Sequence, residues 1–159
     1  MKIYGDFTTS VIRAFNEIDK NWQSYNGIVV CGSHKPKGQE ELIELIGQLL
    51  DNETPFYGEC WGYQLASIAY ARYKLGITDA TSEEWSKSGT PIVKKISKGL
   101  NVGLKNGESY WNNYEVAIDW EKPENFFVAQ YHASYQSKLT KPHKLIVNFL
   151  NYAKSKSST

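Results

Sequence analysis

The stretch Gly58-Glu59-Cys60-Trp61-Gly62-Tyr63-Gln64 constrains this chain more than any other. An apolar run, Thr54 to Tyr57, ends there, and a helical pattern begins at Trp61. A cysteine between strand and helix, with a glycine two residues to either side, has the form of a nucleophile elbow. Such a turn is sharp, and small neighbours let the chain cross itself without a side-chain clash. It lifts the sulfur above the sheet and sets it at a helix N-terminus, whose partial positive charge favours a thiolate. A cysteine without these neighbours would read as packing. The glycines and the strand-to-helix switch make Cys60 a candidate nucleophile instead.

A chain of 159 residues suits one domain with one core, expected over residues 1–153, with a frayed Lys/Ser tail at 154–159. The 18 basic and 17 acidic residues nearly cancel and form no basic stripe, which gives no reason to expect nucleic acid as a partner. No apolar run is long enough to span a membrane, and Met1-Lys2-Ile3-Tyr4 does not open like a secretory leader. Two cysteines without a disulfide framework fit a reducing cytoplasm. With three scattered histidines they also lack metal-ligand spacing, so neither metal nor cofactor is expected.

Alternating patterns organise the first half. Lys2–Asp6 reads as a short strand, and Ser10 as the cap of a helix through Lys20 with Val11, Ile12, Ala14, Phe15 and Ile18 inward. Gly27–Cys31 is continuously apolar, as a strand buried on both faces is. A loop over 32–38 leads to a helix over Gln39–Asp51, a strand over Pro55–Glu59 and a helix from Trp61 to about Leu75. Beyond Gly76 the pattern weakens. Pro91–Lys95, Val102–Leu104 and Glu115–Ile118 read as short antiparallel strands, and Phe126–Tyr131 as a second core strand ending at His132. Pro142 opens a last helix through Ala153. The alternation predicts an α/β fold, a three-layer sandwich with a mainly parallel central sheet. Ligands bind beyond the C-terminal strand ends of such sheets, where Cys31, Cys60 and His132 all fall.

Five blocks in order resemble the glutaminase domain of class I glutamine amidotransferases, in the branch formed by CTP synthases. They are Gly27 to Gly38, Pro55 to Gln64, Asp79 to Trp85, Tyr114-Glu115-Val116 and Val128 to Lys138. CTP synthases read G-I-L-V-P-G-G-F, P-F-L-G-[IV]-C-L-G-M-Q, D-A-N-S-T-E-F, R-Y-E-V and V-Q-F-H-P-E-F-x-S at these places. The resemblance implies a shortened flavodoxin-like fold. It implies that Cys60 attacks a glutamine side-chain amide to form a thioester, with His132 as general base. Trp61 N–H and an N–H from the Gly32-Ser33 turn match the oxyanion hole. Gln64 and Glu84 match positions that hold the glutamine backbone end, Glu84 by pairing its ammonium group.

The chain departs from that pattern at several places. The family's third catalytic residue, a glutamate, is Ser134 here, and serine brings no charge to the imidazole. Glu59 stands where the family has an apolar residue. Two readings are open: it points into a polar pocket or pairs with a cation such as Lys35 or Arg72, or it replaces the missing triad acid or binds a substrate amine. The family arginine before Tyr114, which would grip the glutamine carboxylate, is Asn113. Ser33 replaces a glycine, and His34, an ordinary loop residue by default, replaces an aromatic. His143 reads as solvated. Cys31 and Cys60 close adjacent strands, so a disulfide between them is conceivable. Trp22, Trp120 and Phe149 read as packing.

Three functions fit these residues. One is a thiol hydrolase or amidotransferase subunit acting on glutamine or a γ-glutamyl compound. A second is a catalytically silent relative that binds a ligand or partner, which Ser134 and Asn113 favour. A third is a thiol hydrolase or peptidase on the same scaffold. For the first, the absence of a synthetase region implies a partner synthetase or release of ammonia, and a homo-oligomer is also open.

Overall fold

The computed structural model describes residues 1–158. The first half runs β1 (Lys2–Tyr4), α1 (Thr8–Ile18), a 3₁₀ turn (Trp22–Ser24), β2 (Ile28–Val30), α2 (Gln39–Leu49), β3 (Phe56–Glu59) and α3 (Trp61–Lys74). The second half runs β4 (Ala80–Ser82), β5 (Thr90–Lys95), β6 (Asn101–Lys105), β7 (Glu108–Asn112), β8 (Tyr114–Val116), β9 (Phe126–Ala129), α4 (Ala133–Gln136) and α5 (Lys144–Ser157).

The central sheet is wholly parallel, in the order β1-β2-β3-β9. Its strands are continuous apolar runs because both faces are covered. Alternate side chains face opposite layers. Val29 and Tyr57 pack with Val11, Phe15 and Phe149 of α1 and α5. Val30 and Phe56 pack with Ile43, Ile46, Leu65 and Ile68 of α2 and α3. Sheet and two helical layers make the three-layer α/β sandwich, and Trp22, Trp120 and Phe149 are core residues. The register pairs Tyr4 with Val30, Val30 with Gly58, and Glu59 with Ala129, so the segments leaving these strands share one edge.

Beyond α3 the structure is richer than the sequence pattern. Strand β4 was not expected, and β5 pairs with it in parallel while pairing antiparallel with β8. The residues of β4, Ala80-Thr81-Ser82, are small or polar and give no apolar run to read. Strand β7 was also missed; it closes an antiparallel hairpin with β6. Asn106 and Gly107 both have positive φ (52° and 82°), the backbone an Asn-Gly hairpin turn requires. Helix α1 begins before Ser10, whose hydroxyl reaches back to Phe7 O at 3.1 Å rather than capping. Helix α5 continues past Ala153 to Ser157, with Lys156 bonded to Glu53 and Ser157 Oγ accepting from Asn26 N–H. Thr159, within the tail expected to fray, lies outside the described residues.

Candidate active site

Cys60 joins β3 to α3 with φ 54° and ψ −104°, a backbone conformation that costs a non-glycine residue energy. Close approach holds it there. A Cβ on Gly58 would lie 2.8 Å from the Gly62 carbonyl carbon, and one on Gly62 would strike the Val30 carbonyl. The Cys60 N–H donates to Ala129 O at 2.9 Å, and its carbonyl accepts from Gln64 N–H at 3.1 Å. The elbow is thus tied to β9 on one side and to α3 on the other. Trp61 opens the helix, so its N–H has no carbonyl one turn back to bond. Cys60 is 8 % exposed and lines a cleft.

His132 comes off the end of β9, and its N–H donates to Ser109 O of β7 at 2.7 Å. The ring is fully buried, stacked on Tyr135 (4.5 Å between centroids) and edge-on to Phe7. Nδ1 lies 3.6 Å from Glu59 Oε1. Nε2 lies 3.4 Å from Trp111 O, and Cys60 Sγ donates to that same carbonyl at 3.7 Å. Gln130 Nε2 approaches the sulfur at 3.8 Å. Burial alone would lower the His132 pKa. The Cys60 sulfur and the Glu59 carboxylate beside the ring outweigh burial and raise it to about 10.

Glu59 faces this imidazole from the end of β3 and is fully buried. Tyr57 OH donates to Oε2 at 2.7 Å, Ser134 Oγ to Oε1 at 2.7 Å, and Ser134 N–H to Oε2 at 3.2 Å. A buried carboxylate is tolerable only with such partners. Glu59 thus sits in a polar pocket and makes no ion pair with Lys35 or Arg72, of which Arg72 is engaged with Glu40 and with Ala80 O. Ser134, expected at the place of a catalytic glutamate, donates to Glu59 through both its hydroxyl and its N–H. Its own hydroxyl meets Ser10 Oγ at 2.9 Å, and Arg13 donates to its carbonyl at 2.6 Å.

The remaining expected residues gather round one cleft lined by Ser33, His34, Gln64, Glu84, Asn113 and Tyr114, with Leu100 and Trp111 as apolar walls. Gln64 Nε2 and Asn112 Nδ2 both donate to Tyr114 O, at 3.1 and 2.8 Å. Burial raises the Glu84 carboxyl above its usual range. Gly32 packs so tightly that a Cβ there would sit 2.8 Å from His132 Cε1. Its carbonyl accepts from Asp6 and Phe7 N–H, and Ser33 Oγ donates to Asp6 at 2.8 Å. His34 lies on the cleft, edge-on to Phe7 and Trp111.

Two expectations are corrected. Cys31 and Cys60 are both free thiols, and Cys31 is fully buried with its pKa raised, by burial first and by Glu59 second. His143 is not solvated: its Nδ1 caps α5 by accepting from Leu145 N–H, and Nε2 lies 3.2 Å from Glu108. Tyr57, Gln130, Tyr135 and Trp111 were not singled out as site residues, and Ser10 was read only as a helix cap. They reach the site through the fold, and only the Asn-Gly turn ahead of Trp111 left a local signal.

A parallel sheet with an elbow cysteine, an imidazole and a carboxylate at its C-terminal edge defines a class of α/β domain built round a thiol. Within that class, a family model described as glutamine amidotransferase class-I matches residues 5–157, and the chain belongs to that family. Curated relatives named CTP synthase cover part of it. That of Methanoregula boonei is 45 % identical over 96 residues, 60 % of this chain and 18 % of the relative. That of Pelagibacter ubique is 37 % identical over 90 residues, 57 % of this chain and 17 % of the relative. The chain thus spans under a fifth of the length of these curated relatives. Among solved structures, a Trypanosoma brucei CTPS glutaminase domain with bound acivicin superposes with a TM-score of 0.75. That match covers 97 % of this chain and 93 % of the other at 18 % identity, a likeness of fold. Among the described residues no helix is long and apolar enough to cross a membrane, and no cluster of three acidic, cysteine or histidine side chains is placed to hold a metal ion.

Proposed function

We propose that this domain hydrolyses the side-chain amide of a glutaminyl compound through a Cys60 thioester. The observation that carries the reading is the buried row of Cys60, His132 and Glu59 beneath an open cleft. In this reading Cys60 Sγ attacks the amide carbon as a thiolate. The oxyanion that forms is held by Trp61 N–H and an N–H of the Gly32-Ser33 turn. The His132 imidazolium gives its proton to the nitrogen, the C–N bond breaks, and ammonia leaves. Water then donates a proton to His132 and attacks the thioester, which releases the acid and the thiolate. Glu59 acts as the surrogate acid, holding the ring and its charge, with Ser134 and Tyr57 positioning it. The Trp111 carbonyl, which now accepts from the thiol, yields to substrate.

Gln64, Glu84, Asn113 and Tyr114 form the substrate end of the cleft in this proposal. Ammonia then passes to a synthetase partner or to water, in the reducing cytoplasm the cysteines suggest. The case for a silent relative rested on two lost charges, at Ser134 and at Asn113. The Glu59 carboxylate on the neighbouring strand answers the first, and the second bears on which substrate is held rather than on the thiol. Ammonia release from glutamine and from glutaminamide tests the reading: both activities should vanish in Cys60→Ala. Release that survives this substitution, or none from either amide in the native sequence, would overturn it.

A further inference from the structure

Resting on that reading, the cleft also speaks to which glutaminyl compound it takes. Its lining holds one carboxylate, Glu84, and no lysine or arginine. Free glutamine presents an ammonium group and a carboxylate on the same carbon. A site that pairs only the first must bury the second without a permanently charged partner, and an unpaired buried charge is costly. The one imidazole on the lining, His34, is packed edge-on to Phe7 and Trp111. Several neutral donors on the lining are at least partly engaged elsewhere. Gln64 and Asn112 both give an amide hydrogen to Tyr114 O, and Ser33 Oγ gives its hydrogen to Asp6. The buried Trp61 indole N–H, which has no partner among the described residues, could offer the carboxylate only an uncharged hydrogen bond. A carboxylate close to Glu84 would also meet like charge.

The walls agree with this census. Leu100 and Trp111, 48 % and 45 % exposed, border the cleft and present apolar surface to whatever leaves it. Glu84 itself is half-buried, makes no ion pair among the described residues, and is destabilised as an anion by burial. It is therefore suited to a ligand cation. We infer that the cleft selects a glutaminyl compound with a free α-amine and a masked, uncharged α-carboxyl, such as a peptide's N-terminal glutamine, over free glutamine.

The test is binding to Cys60→Ala by calorimetry, which needs no turnover. The ligands are L-glutamine, L-glutaminamide and N-acetyl-L-glutaminamide. Glutaminamide should bind about tenfold or more tightly than glutamine, the worth of one unpaired charge avoided. Acetylation should cost a similar factor, and Glu84→Gln should erase the difference between the acetylated and free amides. Asn113→Arg, at an exposed position, should raise the affinity for free glutamine about fivefold or more by supplying the absent cation. Glutamine binding as tightly as glutaminamide, indifference to acetylation, or no binding of any of the three would overturn the inference. Failure of the hydrolytic reading shows separately, as a native sequence that binds glutaminamide and releases no ammonia.

Discussion

Three donors fix both oxygens of Glu59, so its charge is held 3.6 Å from His132 Nδ1 whatever the substrate does. Removing that charge should cost more than removing one donor. Glu59→Gln should lower kcat by about 100-fold, less than the 10⁴ seen when a serine protease loses its orienting carboxylate, because a thiol ionises more easily. Ser134→Ala should cost about tenfold or less, since Tyr57 and the Ser134 N–H remain. Steady-state ammonia release measures both, and equal losses would contradict the surrogate role. The same geometry predicts a pH response. With a pKa raised from 6.5 to about 10, the folded His132 binds its proton more tightly than the unfolded chain does. That proton contributes stability fully below pH 6.5, and the contribution is lost as pH rises through about 10. Imidazole NMR signals of His132 should stay those of the cation past pH 8 and titrate toward 10, lower in Glu59→Gln. Titration at or below 6.5 in the native sequence would contradict the pairing.

The elbow is a joint between elements, and its glycines are set by backbone contacts. Gly62→Ala would push a methyl against the Val30 carbonyl, where no side chain can swing aside. It should cost about 1–3 kcal/mol in urea denaturation, the usual range for overpacking; an unchanged midpoint would show that β2 and α3 separate easily. At this scale the strands and helices of the first half were legible because each carries its own period. Past α3 the runs of β5, β6 and β8 were readable, whereas β4 is Ala80-Thr81-Ser82 and β7 mixes polar and aromatic residues, so neither shows an apolar run. The Asn106-Gly107 turn was readable and points to the hairpin that brings Trp111 O between thiol and imidazole. Ser10 looked like a helix cap because only the fold shows that α1 starts earlier and turns it toward Ser134.

Over the whole molecule, a parallel sheet gathers residues far apart in sequence at one edge. Cys60 and His132 were legible through their motifs and strand ends. The partners of Glu59 were not, since Tyr57 shares its strand while Ser134 arrives on α4, 75 residues further along the chain. The α1–α5 layer supports this edge through Phe149, fully buried against Phe15, Tyr57 and Phe127. Phe149→Ala should destabilise by about 3–5 kcal/mol in chemical denaturation, and a loss under about 1 kcal/mol would mean that layer is loosely packed. The central claim is that one of two buried thiols is activated by its surroundings. Iodoacetamide at pH 7, read peptide by peptide by mass spectrometry, tests it with Cys31 as internal reference. Cys60 should be modified and Cys31 not, and the Cys60 reaction should slow about tenfold or more in His132→Ala because the imidazolium no longer stabilises the thiolate. A Cys60 as inert as Cys31, or one indifferent to the loss of His132, would contradict it.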